Sequence, residues 1–376
     1  MLSHIVWSTN IDPSGYSSCA RSYIKSLYQN ERCDVSVIIN NVARNINLEG
    51  IDKDDLLFFS SISTSKISSS DILVQHCVPD RMLFGPGRKI LYTVTEMPCP
   101  ERWVRICNNC DIIMTASSFC KEMMIKSGIK EDIIEVVPHC HDPLVWNKNV
   151  IPLNISNLKN YNFLFMGDFT PRKNGDMVLK SFLKTFHGRQ DVSMTFKVYF
   201  NSFSLSDQTK LINKFRNIAK SVESDESKWP PIYFYGEPII ESLIPRFMAS
   251  FDCLVSPHRG EGWGLALSQM MALGKTVIST GYSGNLEFMD QYNSYLIDIC
   301  GFEYVSEDMI KINPNFSGFE WPIIKENSIC EALFDVEGDR VSSKKMGERA
   351  AVDISSKFSY EKISNRIIDI VEKIKA

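Results

Sequence analysis

The stretch Glu261-Gly-Trp-Gly-Leu-Ala-Leu-Ser-Gln-Met-Met-Ala-Leu-Gly-Lys-Thr-Val-Ile-Ser279 decides the fold of this chain. An acidic residue and two glycines open it, an apolar run follows, and Gly274-Lys275 closes it before Thr276-Val277-Ile278. That order predicts a tight glycine loop, a helix of about three turns, a glycine cap and a buried strand. Gly262 and Gly264 carry no Cβ, so N–H groups at the helix N-terminus can come close to a ligand. The loop is suited to cradle phosphate or sugar oxygens. Glu261 at its mouth is suited to accept hydrogen bonds from sugar hydroxyls.

The rest of the chain supplies two settings of this kind. Its 376 residues exceed the roughly 250–300 that share one core, so two domains are expected. With 44% hydrophobic and 23% charged residues the composition provides both cores without global disorder. A net charge of −4 argues against a broad nucleic-acid-binding face. Eleven cysteines include a single C-x-x-C, Cys107-Asn-Asn-Cys110, with no second pair at zinc-ribbon spacing. Buried, reduced thiols in a cytoplasmic protein are the expectation. Met1-Leu-Ser-His-Ile-Val-Trp7 lacks the basic and long apolar segments of a signal peptide. No apolar run approaches the roughly 20 residues that span a bilayer, which leaves a soluble or at most peripherally attached protein.

Short Ile- and Val-rich segments at 5–7, 35–39, 56–59, 72–75, 89–94, 111–115 and 134–137 read as strands, with a helix over 17–29. After Trp146 a polar, weakly patterned linker leads to a second series of strands at 163–166, 194–199, 232–235, 253–255 and 276–278. Strands apolar on both faces, alternating with helical patterns, predict mostly parallel sheets covered by helices. The expected organisation is a first domain over 1–150, a second over 151–356 and a closing amphipathic helix over 357–376. The segment 283–321 is expected to wrap the second domain. Two doubly wound halves would place a ligand between their C-terminal strand ends.

The opening stretch resembles the signature E-G-F/W-G-L-x-x-x-E-A-M-A-x-G-x-P-V-I of retaining GT-B glycosyltransferases of family 4, the group 1 glycosyl transferases. Glu261 stands at the first glutamate. Gln269 replaces the second, which in the family contacts the nucleotide ribose, and Thr276 replaces the proline. Phe165-Met-Gly-Asp168-Phe-Thr-Pro-Arg172-Lys173-Asn-Gly-Asp176 resembles the family's G-R…K-G-x-D segment, whose cations grip the donor diphosphate. Lys173 matches the lysine. Asp168 holds the usual arginine position, and Arg172 supplies the second cation as in a P-R-K-G/N form.

Further pieces extend the resemblance. Gly281-Tyr-Ser-Gly284-Asn285-Leu-Glu287 is similar to the family's G-x-x-E loop, with Glu287 a donor-side carboxylate or a charge at a helix start. Phe234-Tyr-Gly236-Glu237 is similar to the strand end that receives the nucleobase through backbone groups. In the first domain, Pro13-Ser-Gly15-Tyr16 stands at the flexible glycine loop, though with one glycine where two are usual. Tyr92-Thr-Val-Thr-Glu96-Met-Pro98 stands where many relatives place a histidine on the transferred sugar, so Glu96 and the upstream His76 are the substitutes. A core role for His76 stays open beside that one. Val136-Val-Pro-His139-Cys-His141-Asp142 is similar to V-I-P-x-G-x-D, and its two histidines lack a third metal ligand nearby.

The resemblance implies a GT-B fold, two Rossmann-like doubly wound domains facing each other across a cleft. It also implies transfer of a hexose from a nucleoside-diphosphate sugar to a glycan, lipid or other hydroxyl acceptor, with retention and without a metal or other cofactor. Arg172, Lys173 and Glu261 are the expected catalytic group. Gly262, Trp263, Gly264, Leu265, Gln269, Gly236, Gly15, Glu96 and His76 are the expected donor-binding residues. Two alternatives remain: a non-catalytic GT-B module that binds a nucleotide or a partner, and a phage- or virus-type transferase acting on modified DNA bases.

Overall fold

Two parallel sheets, one in each half of the chain, carry the structure, a computed structural model that describes residues 3–40, 48, 50–68, 71–83, 88–198 and 205–375. The first half runs β1 (Ser3–Thr9), α1 (Gly15–Tyr28), β2 (Cys33–Ile39), α2 (Lys53–Ser61), β3 (Ile72–His76), β4 (Ile90–Tyr92), α3 (Glu101–Cys107), β5 (Ile112–Thr115), α4 (Ser118–Lys126) and β6 (Ile134–Val136). Its six strands lie in the order β2-β1-β3-β4-β5-β6, every pair parallel.

The second half begins with β7 (Tyr161–Gly167), α5 (Gly175–Thr185), β8 (Val192–Val198), α6 (Leu205–Val222), β9 (Ile232–Tyr235) and α7 (Ile244–Ala249). It continues with β10 (Cys253–Ser256), α8 (Leu265–Ala272), β11 (Thr276–Thr280), β12 (Tyr295–Ile297), β13 (Ile299–Tyr304), α9 (Glu307–Ile312) and β14 (Glu320–Ile324). Three helices close it: α10 (Glu326–Gly338), α11 (Arg340–Lys357) and α12 (Tyr360–Lys375). The second sheet has the order β12-β11-β10-β7-β8-β9, again all parallel.

Both sheets are buried on both faces, as helix crossovers on each side require. β8 is buried at all seven positions, and Ile5, Val6 and Trp7 of β1 have no exposed surface. In the second sheet the strand order turns back between β10 and β7, so the loops that leave those two strands lie side by side. That is the place where a doubly wound sheet opens a crevice at its C-terminal edge.

Two sequence expectations need correction. Residues 56–59, read as a strand, lie in α2. Their four-residue apolar run fits either structure, and the residues around it favour helix: Asp54 and Asp55 occupy the first turn, where negative charge suits the helix dipole. Helical spacing then buries Phe59 completely while Leu57 is 69% exposed. α8 has eight residues, shorter than the helix of three turns expected of it. Leu273 already caps it, with Gly274 in the left-handed region at φ 72°. Within the excursion after β12, β13 and β14 pair as an antiparallel ribbon.

The last helix crosses to the first half. Ile363, Ile367, Ile368, Ile370 and Val371 of α12 join Tyr23, Ile24 and Leu27 of α1 in one core. At the rim Arg32 pairs with Asp369 at 2.7 Å and Glu372 at 3.1 Å. The two halves also meet along the cleft. At one end Glu241 takes a hydrogen bond from Ser18 Oγ (2.7 Å) and an ion pair from Arg21 (2.7 Å), while Ser242 Oγ donates to Asp52 (2.7 Å). At the other, Ser118 N–H donates to Glu287 (2.8 Å) and Phe119 meets Tyr282 edge to face at 5.4 Å.

Candidate active site

Arg172 and Lys173 sit on the turn after β7, and Glu261 on the loop after β10. The two loops are tied together before any charge is counted. Asn174 ends the first in the left-handed conformation (φ 62°), which asparagine tolerates, and its Nδ2 donates to Pro257 O at 3.1 Å. Arg259 N–H donates to Arg172 O at 2.8 Å.

The charges then converge on one carboxylate oxygen. Lys173 Nζ lies 2.5 Å from Glu261 Oε1 and Arg172 Nη1 3.2 Å from the same atom. Arg172 Nη1 also donates to Gly260 O at 2.7 Å and lies 3.5 Å from Glu96 Oε1, across the cleft in the first half. Burial pushes the Glu261 carboxyl up, but Lys173 and Arg172 outweigh it and hold the group at about 2. For Arg172 burial disfavours the charge, and Glu96, Glu261 and Asp168 reverse that and raise its pKa.

This arrangement gives stability a defined pH dependence. Glu261 ionises at about 2 when folded and near an ordinary glutamate value of about 4.3 when unfolded. Its contribution is therefore complete above the unfolded value and is lost as pH falls towards 2. Acid unfolding of Glu261→Gln should be less steep than that of the wild type between about pH 4.3 and 2. Parallel acid titrations followed by circular dichroism test this, and identical slopes would contradict it.

The Glu261 main chain is held by a buried polar group the sequence did not reveal. Its N–H donates to Ser283 Oγ (3.0 Å), and its carbonyl accepts from Gly284 N–H (2.9 Å). His258, fully buried, lies with Nδ1 3.1 Å from Ser256 O and Nε2 3.3 Å from Ser283 Oγ and 3.2 Å from Asn285 Oδ1. Burial lowers its pKa. A neutral ring carries one N–H: on Nδ1 it donates to Ser256 O and leaves Nε2 to accept from Ser283 Oγ, while on Nε2 it donates to Asn285 Oδ1. Asn285 Nδ2 donates to Thr280 O at 2.9 Å, which anchors the group to the end of β11. The sole sequence signal was the Gly281–Glu287 loop; nothing marked His258.

The other expected residues are more widely spread. Gly262 lies against the first half: a Cβ there would stand 2.1 Å from Val94 Cγ1, and its carbonyl accepts from Ser117 Oγ at 2.7 Å. Gly264 caps α8 at φ 94°, Leu265 is the side chain nearest Gly15 at the start of α1, and Gln269 is nearly buried on α8. Trp263 turns inward, stacked on His139 (5.4 Å, 14°) and packed against Phe288 at 4.6 Å. Gly236 follows β9 at the far edge of the second sheet, two strands from β7. His76 is in the first core, edge to face with Tyr16 at 4.4 Å, and neither ring nitrogen has a hydrogen-bond partner among the described residues. Among the described residues no three His, Cys, Asp or Glu side chains are grouped to hold a metal ion, and no helix is long and apolar enough to cross a membrane.

Residues 160–301, which carry the cation turn, the Glu261 loop and the His258 group, match the family Glycosyl transferases group 1. Over 268 residues, 71% of the chain, the sequence is 25% identical to an uncharacterised glycosyltransferase of Methanocaldococcus jannaschii, and the match spans 60% of that relative's length. Among solved structures the chain is similar to Anabaena HepE in complex with UDP and glucose, with a TM-score of 0.68 at 11% identity over 99% of this chain and 100% of that one. A sucrose-phosphate synthase from Thermosynechococcus elongatus gives the same TM-score at 11% identity, covering 99% of each chain. These likenesses are of fold, and the fold is GT-B: two Rossmann-like domains facing each other across a cleft. In the second domain the Glu261 loop and the cation turn lie at that cleft.

Proposed function

We propose that the chain is a retaining glycosyltransferase that moves a hexose from a nucleoside-diphosphate sugar to a hydroxyl of a glycan, lipid or other acceptor. One observation carries this: Arg172, Lys173 and the ionised Glu261 meet at the C-terminal ends of neighbouring strands, facing the other domain. The family match over the same residues supports it. Arg172 and Lys173 would grip the diphosphate and offset the charge developing on the departing nucleoside diphosphate, work that fixed cations can do without a divalent metal. Glu261, released from them, would accept hydrogen bonds from hexose hydroxyls, and the Gln269 amide would bond the ribose.

In front-face substitution the bond from the anomeric carbon to the phosphate oxygen breaks as the acceptor oxygen bonds on the same face. The acceptor proton passes to the leaving phosphate oxygen, so no protein base is needed. Contacts at both ends of the cleft would exclude water from the step. The cysteines are free and mostly buried, which supports a reducing, cytoplasmic setting.

A thermal-shift screen with UDP, GDP, ADP and CMP, with and without Mg²⁺, tests the donor site. One diphosphate should raise the melting temperature without metal, and Lys173→Ala should abolish the rise. No shift of the wild type with any nucleotide would contradict the proposal and favour a non-catalytic GT-B module.

A further inference from the structure

We propose that Glu96 is a built-in counter-anion of the donor cations: it holds Arg172 across the cleft and competes with the incoming diphosphate for it. This presupposes the donor site proposed above and adds a residue that sets its affinity.

The first support is position. Glu96 follows β4 in the first domain, and among the described residues it is the first-domain charge that reaches Arg172, at 3.5 Å. Its backbone is seated on the other domain at several points. A Cβ at Gly260 would lie 3.4 Å from Glu96 O, and the Gly262 backbone abuts Val94. Cys120 Sγ bridges Thr95 O (3.1 Å) and Gly262 O (3.2 Å). Met97 packs against Val305, Met309, Phe316 and Trp321. Glu96 is therefore delivered to the cations by fixed backbone rather than by a wandering surface loop.

The second support is the charge count. Glu96, Glu261 and Asp168 all act on Arg172, with Lys173 alongside. Two carboxylates, Glu96 and Glu261, already offset the two cations, so a diphosphate can bind tightly only if a carboxylate yields its place. Glu261 is almost fully buried and locked through Ser283 and Gly284. Asp168, on the turn that carries Arg172, is exposed and acts on it through space without an ion pair within 4 Å, so it does not occupy the cation. The Glu96 side chain is 32% exposed and makes the longest of these ion-pair contacts. It can swing into water at the smallest penalty, because the carboxylate is already partly solvated and its contact is long. Leaving Arg172 for solvent is then the step that opens the cation to phosphate, and it loosens one cross-cleft contact as the ligand enters.

Isothermal titration of UDP, GDP and ADP without metal, on the wild type, Glu96→Gln and Glu131→Gln, decides the matter. Glu131 is an exposed first-domain carboxylate preceding β6, at the opposite end of the sheet from the cleft, so its variant removes the same charge remotely. Glu96→Gln should bind the preferred nucleotide about tenfold more tightly, a gain of about 1.4 kcal/mol, while Glu131→Gln binds as the wild type does. Equal or weaker binding by Glu96→Gln would overturn the proposal, weaker binding marking Glu96 as a ligand of the donor itself. Equal gains in both variants would also overturn it, as a general charge effect. Failure of all three proteins to bind any nucleotide would remove the donor site itself, an outcome distinct from the others.

Discussion

Glu261→Gln is expected to lower sugar transfer by roughly a hundredfold or more while leaving nucleoside-diphosphate binding intact or tighter. The side chain is nearly isosteric, so the loop geometry set by Ser283 and Gly284 should survive. What changes is charge. Glu261 engages both Arg172 and Lys173, at 3.2 and 2.5 Å, and a neutral amide would leave them freer for phosphate. For the hexose the change goes the other way. An ionised carboxylate accepts stronger hydrogen bonds from hydroxyls than an amide oxygen does, and those bonds would orient the anomeric carbon for attack. Steady-state kinetics with the donor found by nucleotide screening, alongside a titration with the matching diphosphate, separate the two effects. A parallel loss of nucleotide binding and turnover would show that the carboxylate acts only by holding the cations in place.

Gly284→Ala should destabilise the protein by about 3 kcal/mol and abolish nucleotide binding together with it. A Cβ at this position would stand 2.1 Å from Gly262 O, 2.5 Å from Gly262 C and 2.8 Å from Glu261 O. All three are backbone atoms of the donor loop, which cannot turn aside as a side chain could. The loop is braced from the other side as well, since Gly262 rests on Val94 and receives the Ser117 hydroxyl. Strain introduced at Gly284 therefore has nowhere to go except into the Glu261 backbone. Ser283, just before it, already sits at φ 84°, a conformation unfavourable for a residue with a Cβ, and is kept there by its bonds to Glu261 and Asn285. Gly338→Ala is the control: nothing lies within 4 Å of a Cβ at that helical position. It should be neutral or slightly stabilising, since alanine favours helix over glycine. Chemical denaturation of both variants checks this, and equal stability of Gly284→Ala and the wild type would contradict the packing described.

Much of the fold was legible because of how parallel sheets are buried. Strands covered on both faces become unbroken runs such as Phe163–Met166, which local pattern finds easily. Residues 56–59 show the limit, since a run that short fits a helix as well as a strand and only its neighbours tip the balance. For the site, Glu261 and Lys173 were visible as types at familiar spacing. Their meeting depends on β7 and β10 being neighbours, a fact of strand order that no local pattern contains. His258, Ser283 and Asn285 were hidden for a related reason. They act through hydrogen bonds among residues more than twenty positions apart, and each alone resembles an ordinary buried polar residue. Trp263, expected at the phosphate loop, has its ring against His139 and Phe288 in the core. The cross-cleft approach of Glu96 to Arg172 likewise required both domains in place.

The most direct measurement is a crystal structure of the chain with the nucleoside diphosphate that stabilises it, grown without divalent metal. The diphosphate should lie within hydrogen-bonding distance of both Arg172 and Lys173, with Glu261 Oε1 no longer shared between them. A nucleotide bound elsewhere, or one bound while Glu261 still bridges the two cations, would contradict the assignment of this cluster as the donor site.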